Sequence, residues 1–336
     1  MFVNTDQYTK YIRLWLITMI ILIVSIVGVG GLTRLTDSGL SITAWELFSG
    51  IFPPFNIEKW NFYFDEYKKI PEYKILNFNM TLEEFKVIFY WEWGHRILAR
   101  IIGLMSIIPL IIIFLRFKKN LFFEKKYYLV FLLVCFQGFI GWFMVSSGLV
   151  ENTDVSHYRL ASHLSIAFLI LSLVFWFLLQ NLEIKKNTQK INFFFLSVFL
   201  FFLIIQIILG AFLAGLDGGL IYNTWPDMNG QFIPSDIDKM DLIKISSSND
   251  PTVIQFYHRL IAYIIILFLV TLNYFHYAKG INFNNITVLN IAVAIQIILG
   301  IITLVTGVEI KYASIHQLGS ILVLLSFLFI YYKNTN

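Results

Sequence analysis

The sequence predicts an all-α polytopic membrane protein whose eight transmembrane helices form two tandem four-helix bundles related by a pseudo-twofold axis along the membrane normal. Three observations lead there. First, 58% of the 336 residues are hydrophobic and 14% charged, whereas a soluble domain carries about a quarter charged residues, so a soluble globular enzyme is excluded. Second, several apolar runs reach the roughly 20 residues that a helix needs to cross a hydrocarbon core, without the weak alternation of an outer-membrane barrel. Third, the chain repeats itself, four spans after four. The formal charge of +4 is too small and too dispersed to suggest nucleic acid.

Apolar runs bounded by charge or by Gly, Pro, Asn and Asp place the spans in order. Span 1 covers about 13 to 33; its Gly28, Gly30 and Gly31 follow no strand and are packing glycines rather than a nucleotide loop. After a long loop, 34 to 91, span 2 covers about 92 to 115 and carries Glu92 and His95. Span 3, about 127 to 148, holds the single cysteine, Cys135, read as a small packing residue; an internal disulfide is excluded. Span 4, about 157 to 179, carries His163, and span 5 covers about 192 to 215. A second long loop, 216 to 251, precedes spans 6, 7 and 8 at about 252 to 275, 287 to 307 and 312 to 332, which carry His258, Gln296 and His316.

Orientation follows from loop charge. Lys10, Arg13, Arg116, Lys118, Lys119, Lys125, Lys126, Lys185, Lys186, Lys190, Lys279 and Lys333 lie on one side, against Asp6, Glu124 and Glu183. The positive-inside rule makes that side cytoplasmic, with both termini, and turns the two long loops to the periplasm. Neither an Arg-rich, Ser-rich presequence nor a cleavage site precedes span 1, so a bacterial inner membrane is expected rather than mitochondrial import.

The repeat is read from Gly30 to Pro54 and from Ala214 to Pro234, which both pass through Asp-x-Gly-Leu to a Trp and end at Pro. Gln-x-x-x-Gly recurs at Gln137, Gln206 and Gln296. Four spans per half preserve direction, hence the axis along the normal and a division into residues 1–180 and 181–336.

Four of the six histidines match across the repeat, His95 with His258 and His163 with His316. At about 1.5 Å rise per residue they should lie about 5 to 9 Å inside the periplasmic ends of their helices. Diagonal helices of a square bundle stand roughly 12 to 14 Å apart, a gap that a heme iron between two imidazoles fits. Zinc fits less well, since a structural site wants four ligands. Arg96 and Arg259 adjoin the histidines and suit heme propionates. The competing reading is that these histidines bond loop carbonyls. His157 and His276 have no repeat mates and read as surface residues, while Trp45 and Trp225 either cover the cavities or anchor at the interface. Glu92, three residues before His95, is expected on the same face; its counterpart is Gln255, so proton chemistry is expected in the first half alone. The alternative is a helix-start carboxylate favoured by the dipole.

These residues together resemble the heme A synthase family of the alphaproteobacterial and mitochondrial type. The resemblance spans essentially the whole chain and rests on Gly31-Leu-Thr-Arg-Leu-Thr-Asp-Ser-Gly-Leu-Ser-Ile, Glu92-Trp-Gly-His95-Arg, His163-Leu, Asn223-Thr-Trp-Pro-Asp-Met, His258-Arg-Leu and His316-Gln. It implies oxidation of the C8 methyl of heme O, through successive hydroxylations and loss of water from a gem-diol, to the formyl of heme A for cytochrome c oxidase. It implies heme b on His258 and His316 and heme O on His95 and His163 with Glu92 as the essential acid. It also implies a heme O synthase and an electron donor as partners beside the lipid membrane, and leaves a homo-oligomer open. The cysteine pair that many relatives carry in their loops is missing, so a cysteine relay is closed to this chain. A di-heme b-type electron carrier stands as the alternative function, and a parallel-repeat transporter as a third, which predicts no heme at all.

Overall fold

The computed structural model describes residues 5–45, 49–117, 125–149, 153–188, 190–238, 240, 242, 244–278, 280 and 286–335. Lys118, Lys119, Glu124 and Lys279 of the charge argument, and residues 46–48 of the first repeated loop, lie outside the described residues. The helices are α1 (Thr5–Leu35), α2 (Ile57–Tyr67), α3 (Pro71–Ile75), α4 (Leu82–Phe117), α5 (Lys125–Gly148), α6 (His157–Asn181), α7 (Phe193–Gly215), α8 (Pro251–Ala278), α9 (Ile286–Val305) and α10 (Ile310–Asn334). Among the described residues no strand forms, and eight helices, α1 and α4 to α10, are long and apolar enough to cross a membrane. The chain is a multi-pass helical membrane protein. Helices satisfy this requirement because each one bonds its own backbone polar groups where no water can.

Two helices and one boundary depart from the sequence reading. The first long loop folds into α2 and α3, started by the Asn56 side chain accepting from Lys59 N at 2.9 Å and by Pro71 in the first turn. Trp60, Phe64 and Tyr67 of this layer are buried against Phe85, Ile88 and Phe89 of α4. That burial extends α4 to Leu82, ten residues before the expected start at 92. The signal for this start is Thr81-x-x-Glu84, a capping box: Thr81 N and Oγ1 both donate to Glu84 Oε2 at 2.8 Å. His95 therefore lies about 20 Å along its helix rather than 5 to 9 Å from its start. His163, His258 and His316 sit in the second turn or just beyond of α6, α8 and α10.

The contacts divide the chain into two compact units, Met1–Arg159 with Leu169–Val174, and Leu160–Phe168 with Phe175–Asn336. In the first, α4 packs on α1 and α5, and the Trp15 indole donates to Met105 O at 2.7 Å. Cys135 is exposed on α5, which corrects its reading as a packing residue. In the second, α7 packs on α8, α8 on α9, α9 on α10 and α10 on α7, a closed ring in which α8 and α10 are diagonal. One end of this ring is solid: Leu196, Phe199, Leu272, Leu289 and Phe327 are fully buried, the rings of Phe199 and Phe327 4.5 Å apart. Asn273 and Asn290 exchange amide hydrogen bonds there at 2.8 and 2.9 Å. His258 and His316 occupy the other end, towards the loop that joins α7 to α8.

Candidate functional site

Each repeated loop leaves its helix the same way. Asp37 after α1 and Asp217 after α7 both adopt the left-handed conformation, φ 47° and 50°, which Asp tolerates at a helix exit because its short polar side chain bonds locally. Beyond them the chain turns back over the following helix and is held by an arginine. Arg96 donates from Nη2 to Ile42 O at 2.7 Å and from Nη1 to Ala44 O at 2.9 Å. Arg259 donates from Nη2 to Tyr222 O at 3.0 Å and from Nη1 to Thr224 O at 3.0 Å. The gripped carbonyls are equivalent in an ungapped match of Gly30–Trp45 with Gly210–Trp225. Sequence reasoning assigned these arginines to propionates. The structure engages all three nitrogens of Arg96 within the protein, whereas Nε of Arg259 is buried without a hydrogen-bond partner.

Glu92 completes the first latch. Its side chain is 4% exposed, and Oε2 accepts from Ser41 Oγ and Ile42 N, both at 2.8 Å, while Oε1 accepts from Arg96 Nε at 3.0 Å and Nη2 at 2.7 Å. Four donors around one carboxylate, two from a guanidinium, make a charge-assisted network. Since α4 begins at Leu82, Glu92 is not a helix-start residue, and its described hydrogen bonds run to the loop and to Arg96. Ser41 and Ile42 were not singled out in the sequence; matching the repeat residue by residue finds them. In the second half Gln255 Nε2 donates to Tyr222 O at 3.1 Å, leaving Gln255 Oε1 buried and unpartnered. Trp45 and Trp225 are half-exposed, and the Arg96 guanidinium lies over the Trp45 ring at 5.7 Å.

Three of the four matched histidines face a glycine. A methyl group on Gly30 would stand 3.1 Å from His95 Nε2, one on Gly210 3.3 Å from His258 Cε1, and one on Gly300 2.9 Å from His316 Cε1. These helices carry glycine because an imidazole fills the space a side chain would take. Nδ1 of His258 and Nδ1 of His316 are both buried with no hydrogen-bond partner, and the two residues lie within electrostatic range of each other. Buried polar atoms rarely go unpaired. Two of them on diagonal helices fit an iron held between imidazoles. His163 is half-buried on α6; His157 opens the same helix, and His276 ends α8. Among the described residues no group of three or more His, Cys, Asp or Glu gathers as a metal site.

A family model described as cytochrome oxidase assembly protein, COX15-CtaA, matches residues 13–328. The chain belongs to the COX15-CtaA family. Relatives in it include a Pelagibacter ubique protein 60% identical over the whole of both chains. A Rickettsia bellii protein is 43% identical over 328 residues, covering 94% of this chain and 96% of its own. A Rhizobium rhizogenes protein is 40% identical over 329 residues, covering 95% and 88%. All three are named heme A synthase. The family resemblance drawn from the histidine, arginine and loop motifs is thus met over nearly the full length, and in this COX15-CtaA member those motifs are the ones that build the latches and the glycine-faced histidines.

Proposed function

We propose that the chain oxidises the C8 methyl of heme O to the formyl of heme A, with His95 as a ligand for heme O in the first half and His258 and His316 holding heme b in residues 181–336. The relatives named heme A synthase support the reaction. One structural observation supports the division of labour: the two arginine latches on the repeated loops are built on one plan, and only the first includes a carboxylate, Glu92. Bound heme b supplies one-electron chemistry. The residues do the rest. His258 and His316 offer buried lone pairs, and Gly210 and Gly300 leave room for their rings. Glu92 and Arg96 hold the 38–44 segment closed over α4, and Glu92 exchanges a proton when that latch releases it. Arg259 Nε is the donor left for a propionate. The setting is the bacterial inner membrane with both termini cytoplasmic, supplied by a heme O synthase and an electron donor.

The test is expression alongside a heme O synthase, purification, and extraction and chromatography of the bound hemes. Heme b with sub-stoichiometric heme O or A is expected, and His258→Ala or His316→Ala should lose the b-type spectrum. Two identical b hemes, or none, would overturn the reading.

A further inference from the structure

Gln206 and Gly210 lie four residues apart on α7 and so share a face, and both meet His258. Gln206 Nε2 is 3.2 Å from His258 Nε2, and Gly210 is the close neighbour of the same ring. Gln206 Oε1 and His258 Nδ1 are buried without partners. A neutral imidazole carries one N–H and one lone pair. If the lone pair goes to iron, the N–H needs an acceptor, and for a ring buried in a helix bundle a neighbouring side chain can provide it. Turning the Gln206 amide end for end, a choice that hydrogen bonding alone decides, points Oε1 at the ring Nε2–H, pairs that oxygen and leaves the buried Nδ1 lone pair for iron.

The matching positions differ. Gln296, the corresponding Gln-x-x-x-Gly residue on α9, donates from Nε2 to the main-chain oxygen of His316 at 2.9 Å, so it anchors α10 rather than the ring. In α1 the position matching Gln206 in the ungapped repeat is Ile26, which has no acceptor. A carboxamide thus meets a ligand ring in the half assigned to the permanent cofactor.

We propose that Gln206 is a positioning residue for heme b: its carboxamide accepts the His258 N–H, fixes the tautomer and aims the other nitrogen's lone pair at the iron. This rests on the proposed heme b site. An N–H acceptor raises the basicity of a ligand imidazole, which favours ferric over ferrous iron and lowers the midpoint potential. The experiment is redox titration and electron paramagnetic resonance of purified wild type, Gln206→Met, Gln206→Leu and Gln206→Glu, with heme content measured by extraction. The two apolar variants remove the acceptor and are expected to weaken ferric preference about tenfold, an upward shift of about 59 mV for one electron, with altered ferric g-values. Gln206→Glu keeps an acceptor and should stay at or below the wild-type potential. Unshifted potentials, or all variants moving the same way, overturn the role of Gln206 while leaving heme b in place. A wild type with no b-type spectrum overturns the heme b reading and this proposal together. If one apolar variant fails to purify, the other and Gln206→Glu decide the sign.

Discussion

Replacing Glu92 by Gln tests the first latch most directly. The carboxylate takes four donors, and the amide can accept from at most those on one side while its NH2 group faces N–H groups on the other. The Glu92 and Arg96 side chains are 4% and 14% exposed, so solvent screens little. Removing one partner of a buried ion pair costs about 3–5 kcal/mol, and about 3 kcal/mol corresponds to roughly a hundredfold more frequent opening of the 38–44 segment. Limited proteolysis in detergent measures that opening when closing is faster than cleavage, and heme extraction measures the product. Glu92→Gln should be cut about a hundredfold faster in this segment, keep heme b, and accumulate heme O in place of heme A. Arg96→Gln breaks the same latch but leaves a titratable carboxyl; it should open the segment equally and lose heme A formation as well. Wild-type protease resistance with wild-type heme A formation in Glu92→Gln would refute the argument. Loss of heme b instead would show the two halves assigned the wrong way round.

Gly300→Ala brings a methyl to 2.9 Å from the His316 ring and should lose heme b from purified protein. Gly30→Ala, at 3.1 Å from His95, should keep heme b and lose heme A, while Gly138→Ala meets nothing within 4 Å and should do neither. Gln255→Glu places a carboxylate beside the orphaned Arg259 Nε, as Glu92 pairs Arg96 Nε, and so takes the donor assigned to a propionate; heme b retained on purification should fall below wild type. Burial pushes the Glu72 carboxyl of α3 up to about 7, against the hydrogen bond from Tyr67. The folded state therefore binds a proton that the unfolded state gives up at about 4.5, so protease resistance of the α2–α3 layer should fall by up to about 3 kcal/mol as pH rises from about 4.5 to 7. Glu72→Gln should abolish that slope.

Composition, run length and periodicity alone determined the eight helices long and apolar enough to cross a membrane that the described residues form, because a bilayer admits few backbone solutions and demands about 20 apolar residues for each. The repeat and its histidines were legible as well, since duplication leaves residue identities at matched spacing. Other features depended on packing between distant residues. Phe85, Ile88 and Phe89 extend α4 only because Trp60, Phe64 and Tyr67 fold back onto them. Arg96 and Arg259, which as cations beside histidines read as propionate partners, grip carbonyls in loops more than 30 residues away. Gly30 read as a packing glycine, and Gly210 and Gly300 only as members of the Gln-x-x-x-Gly repeat, until the facing imidazoles were in place. A side chain's type states which bonds it can make; which of them it makes depends on the donors and acceptors that the tertiary fold brings within 3 Å.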